Sequence, residues 1–113
     1  MAKLGNVTFT GLSGQSYKAT VFPFNITFKE GIGGVYVVSK RTENEEGQMS
    51  HDWFYVGSAS DLRENFKMHT SAFQFRKYEV NAINVIREDD AGKRKEIYED
   101  LVHQLKPLLN EMF

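Results

Sequence analysis

The chain has 113 residues, of which 41% are hydrophobic and 26% charged, the balance of one soluble globular domain rather than a disordered or membrane-spanning chain. Fourteen Lys and Arg against fifteen Asp and Glu leave a formal charge of −1, so no global basic field exists and any phosphate contact must be local. The absence of cysteine excludes a disulfide framework, a thiol nucleophile and a thiolate zinc site. With no long apolar run and no basic-then-apolar leader, the expected location is cytoplasmic, with no membrane partner.

Val7 to Thr10 and Tyr17 to Phe22 are rich in β-branched and aromatic residues, and Gly11-Leu12-Ser13-Gly14 between them carries turn chemistry. A hairpin is expected there, followed after Pro23 by a short extended piece at Ile26 to Phe28. Val35 to Ser39 forms the strongest strand pattern in the chain. Trp53 to Val56 gives a second strand, antiparallel to it, with an exposed acidic loop at Glu43 to Gln48 between them. Ser58 to Asp61 can open a helix over 60–69, through a Ser hydroxyl accepting from a first-turn N–H, with Leu62, Phe66 and His69 on one face.

Asn81 to Arg87 reads as a buried strand. Asp89 or Asp90 caps a last helix near 91–106, whose apolar stripe is Ile97, Tyr98, Leu101, Val102 and Leu105 and which Pro107 ends. The expected fold is therefore one small α/β (α+β) domain over 1–113: a central antiparallel sheet flanked by helices, with an N-terminal hairpin over 1–30 added to a core over 33–110. No internal repeat, low-complexity tract or linker interrupts it.

Gly34-Val35-Tyr36 on one strand and Tyr55-Val56-Gly57 on the next, followed by Ser58 to Arg63, resemble the paired signature of the GIY-YIG nuclease family. The ending from Arg94 through Asp100-Leu101-Val102 to Lys106-Pro107-Leu108-Leu109-Asn110 is similar to that family's terminal helix. The span 37–54 between the motifs is a longer loop than the tight connection usual in the family. The resemblance implies hydrolysis of DNA phosphodiesters by water with one divalent ion, Mg²⁺ or Mn²⁺. It assigns Tyr36 and Tyr55 to the attacking water, His69 to the end of the helix, and Gly57, Arg63 and Asn110 to the substrate side of the site.

The family's helix arginine falls at Asn65, an amide that brings no charge to a developing oxyanion. Arg63 lies about 200° around the helix from Asn65 and is a poor substitute. The metal-binding glutamate falls at Tyr98, and Glu99, one residue on, is the remaining candidate ligand. A domain with a degenerate site follows, acting by binding nucleic acid or a protein. An active endonuclease using Tyr36, Tyr55 and Glu99 is the alternative, and a regulatory interaction module working through the 7–22 hairpin is a third reading.

The residues also admit plainer roles. Tyr36 and Tyr55 fit strand aromatics packing on a sheet, and His69 fits a helix-end packing residue. His51, His69 and His103 have no metal-ligand spacing. Lys93-Arg94-Lys95 and Lys40-Arg41 fit solvated faces, because acidic residues adjoin both.

Overall fold

In the computed structural model, residues 3–64 and 73–111 are described. They form β1 (Gly5–Thr10), β2 (Ser16–Pro23), β3 (Gly34–Glu43), β4 (Met49–Ala59), α1 (Phe73–Lys77), β5 (Ala82–Arg87), α2 (Ala91–Leu105) and a closing 3₁₀ turn (Leu108–Glu111). The fold is mixed α+β, with one five-stranded antiparallel sheet in the order β1-β2-β5-β3-β4. Through β2–β5 pairing the N-terminal hairpin is one wing of that sheet. Among the described residues no helix is long and apolar enough to cross a membrane.

Strand alternation sorts the core into two layers. Tyr36, Val38, Ile83 and Val85 face one side, where Phe28, Leu62, Phe75 and Leu109 cover them. Val35, Val37, Ala19, Val56 and Ile86 face the other, under Leu101 of α2. The first half of β3 and most of β5 are buried on both faces, which explains why they are mainly apolar there. The sheet curls: Phe9 of one edge strand and Trp53 of the other meet edge to face at 4.8 Å between ring centroids.

Asp90 caps α2, its carboxylate accepting from the Lys93 N–H at 2.9 Å. At the other end Lys106 adopts a left-handed conformation with φ 45°, and its N–H returns to the Val102 carbonyl. Pro107 then prevents the helix from continuing, and the chain carries Leu109 from the α2 layer to the opposite core.

Three segments depart from the sequence expectation. Ile26 to Phe28 is not a strand. After Pro23 the chain turns, the Ile26 N–H donating to the Pro23 carbonyl at 3.1 Å, and Phe28 is buried from an irregular segment. The span 37–54 is not a long loop, because β3 and β4 pair from Gly34↔Ala59 out to Glu43↔Met49, with an irregularity between Val38 and Ser39. Only the tip turns. There Asn44 Oδ1 accepts from the Glu46 and Gln48 N–H groups at 3.0 and 2.9 Å, and Gly47 supplies φ 81°.

The third departure concerns only the residue that opens the helix expected over 60–69. Residues 62–64 are helical, the remainder lies outside the described residues, and Asp61 rather than a serine accepts from the Arg63 N–H, at 3.1 Å. The short α1 that follows had no counterpart in the sequence expectation.

Candidate functional site

Tyr36 and Tyr55 stand on neighbouring antiparallel strands and on the same face, with ring centroids 6.1 Å apart and planes tilted by 44°. Tyr36 pairs across the ladder with Gly57, and a Cβ at Gly57 would overlap the Tyr36 ring. The glycine leaves the floor on which the aromatic lies. Leu62, Phe75 and Leu109 close the layer above, and Tyr36 has 0% of its surface exposed.

Burial pushes the Tyr36 phenol well above the usual tyrosine value, helped by the adjacent Tyr55 and Tyr98 phenols. Tyr55 is raised in the same direction by burial and by Tyr98. Both rings therefore remain neutral near neutral pH, able to donate a hydrogen bond but not to serve as phenolate bases. Tyr98 on α2, where the resemblance places a metal-binding carboxylate, is partly buried against the core layer beneath that helix.

The other candidates are dispersed. Arg63 pairs with Glu30 at 3.4 Å on the surface. Asn65 and His69 lie outside the described residues. Glu99 is exposed on α2 and lines a hollow with Ser13, Asp100 and His103 against the β1–β2 turn, apart from the layer that holds Tyr36. Among the described residues no three His, Asp or Glu side chains group so as to hold a metal ion. Asn110 is occupied within the fold: its side chain accepts from the Val56 N–H at 2.7 Å and donates to the Val56 carbonyl at 2.8 Å.

One member of each small basic cluster is engaged within the fold. Lys40 pairs with Glu79 at 3.1 Å, and Arg94 donates to the Glu88 and Asp89 carbonyls at 3.1 and 2.7 Å. On β5, the buried Asn84 donates to the Val37 carbonyl and to Ser39 Oγ, and Ser39 Oγ in turn meets His51 Nδ1 at 3.2 Å. Burial and the nearby Arg41 hold His51 below its ordinary value, so the imidazole is neutral over the physiological range.

Asp100, which the sequence marks only as part of the terminal-helix pattern, has a role that pattern does not reveal. Its carboxylate accepts from the Ser13 N–H at 2.8 Å, from Ser13 Oγ at 2.7 Å and from the Tyr17 hydroxyl at 2.7 Å, tying the β1–β2 hairpin to α2. Gly11 is required at this junction, since a Cβ there would collide with the Asp100 carboxylate. The hydrogen bonds from Ser13 and Tyr17 hold the Asp100 carboxyl below its usual range.

A lowered folded-state pKa means stabilisation that is present above the unfolded value of 3.8 and lost as pH falls through the folded one. Asp100→Asn is accordingly expected to be less stable than wild type at about pH 7, with the difference shrinking toward about pH 2. Urea titrations at the two pH values read it; a constant difference would mean that the carboxylate charge is not what binds the hairpin.

Comparison with protein-family models, with curated proteins and with solved structures finds no match to this chain.

Proposed function

We propose that this chain is a GIY-YIG-like domain that binds nucleic acid without hydrolysing it. The observation that carries the loss of hydrolysis is the complete burial of Tyr36 against Gly57. A phenol under Leu62, Phe75 and Leu109 offers no surface on which water and a phosphodiester can meet. Two chemical facts support the same reading. Phenols raised by burial stay protonated at neutral pH and so supply no phenolate base, and Glu99 belongs to the hollow by the hairpin turn, apart from the tyrosine pair.

The test is a cleavage assay on plasmid, single-stranded and branched DNA and on RNA, with Mg²⁺ or Mn²⁺. Wild type and Tyr36→Phe are both expected to leave every substrate intact. Metal-dependent cutting that Tyr36→Phe and Glu99→Gln abolish would overturn the proposal in favour of an active endonuclease. Cutting confined to Asn65→Arg would identify a site silenced at one position, as the substitution of an amide for a cation suggests.

A further inference from the structure

On the sheet face that carries Tyr36, beyond Leu62, a groove runs over the wing made by β1, β2 and β5. Its charged lining consists of Lys18, Lys29 and Arg87, and no carboxylate lines it among the described residues. All three side chains are exposed, and none forms an ion pair among the described residues. In a chain with a net charge of −1, a hollow with cations alone is a local reversal of sign.

The β2–β5 pairing ends at Thr20↔Val85, and Lys18 and Arg87, two residues beyond it on each strand, both line the groove. Like charges lining one groove repel each other, so an anion bound between them is favoured. Asn6 and Thr20 add hydrogen-bonding groups alongside.

The floor between the cations is apolar. Phe22, Ile32, Leu62 and Val85 line it, and Phe22 is only partly buried, its ring nearly perpendicular to that of Phe28 with centroids 5.9 Å apart. A bare phosphate would leave that floor unused. A duplex would present phosphates with its base faces already stacked inward. Cations flanking an aromatic floor match single-stranded nucleic acid, whose phosphates take the charge and whose unstacked bases cover the ring.

We infer that the groove of Lys18, Lys29 and Arg87 is a binding site for single-stranded nucleic acid, with Phe22 as the stacking surface. This rests on the reading of the domain as a nucleic-acid binder and names the surface that does it, one built partly by the N-terminal hairpin and separate from the buried tyrosines.

Fluorescence anisotropy with a labelled 12-nucleotide oligo-dT and with a 12-base-pair duplex, across a salt series, tests it. Wild type is expected to prefer the single strand, and log affinity to fall with log salt at a slope of about −2, the value for three phosphate contacts on a single strand. Lys18→Ala, Lys29→Ala and Arg87→Ala should each weaken binding about three- to tenfold and flatten the slope by about 0.7. Phe22→Leu, which keeps an apolar side chain, should weaken binding while leaving the slope unchanged.

Unaltered affinity in Lys18→Glu/Arg87→Glu, whose side chains are exposed and whose fold circular dichroism can verify, would overturn the groove while leaving the domain a nucleic-acid binder. Tighter binding of the duplex would overturn the choice of occupant. No binding of either probe by wild type at low salt would overturn both the groove and the reading beneath it.

Discussion

Gly57→Ala is expected to destabilise the fold by about 3 kcal/mol, far more than one methyl on a strand usually costs. The backbone at Gly57 is not in the left-handed region, so alanine meets no conformational penalty there and its β-propensity is the better of the two. The whole cost comes from the Tyr36 ring, which occupies the space the methyl needs. Tyr36→Ala should cost about 3–5 kcal/mol by emptying a fully buried aromatic site.

The double variant separates this account from simple loss of core. With the ring gone, the methyl at position 57 fills part of the void, so the two penalties must fall well short of adding. Urea unfolding of the four proteins measures the coupling, expected at about 2 kcal/mol or more. Additive penalties, or a Gly57→Ala protein within about 0.5 kcal/mol of wild type, would mean that the ring does not lie on Gly57. Such a result would also remove the main support for an inert Tyr36.

What the sequence made legible follows from where its signals are local. Val35 to Val38 and, apart from the hydrogen-bonded Asn84, Ala82 to Ile86 are apolar because both faces of their strands are covered, and Asp90 marks the start of α2 within three residues of the N–H it caps. The outer half of the β3–β4 ribbon was misread as a loop, since Lys40 to Glu43 and Met49 to Asp52 are largely polar and carry the composition of a connection. Its pairing comes from the ladder and from the Asn44 turn, neither of which leaves an apolar trace. α1 spans five residues, too few for a periodicity to emerge.

The candidate site divides in the same way. The tyrosine pair was visible because two short motifs fall on adjacent strands, but the reason for Gly57 was not, since it depends on which residue faces it across the ladder. Asp100 and Asn110 act on partners 87 and 54 residues away, and no window of sequence contains both ends of either contact. Glu99, chosen for its carboxylate beside Tyr98, shares a helix with it but belongs to a different surface.

Asn110 gives the second large effect, and it discriminates structure from recognition. β4 is an edge strand, whose outward N–H and C=O groups need a partner or water. The Asn110 amide supplies both at Val56, one bond in each direction, as a further strand would. It is held there by Leu109, fully buried in the opposite core, so the clamp also fixes how the chain rounds the sheet edge.

Asn110→Ala should therefore cost about 2–3 kcal/mol, because two partly buried backbone groups lose their partners together. Asn110→Asp keeps the acceptor for the Val56 N–H but sets a carboxylate oxygen against the Val56 carbonyl, so it should recover little of that loss. Hydrogen exchange at the Val56 amide should accelerate in both variants, ahead of exchange in β5 at the sheet centre. Were Asn110 a substrate contact instead, its removal would leave stability within about 0.5 kcal/mol and Val56 protected, while binding alone declined.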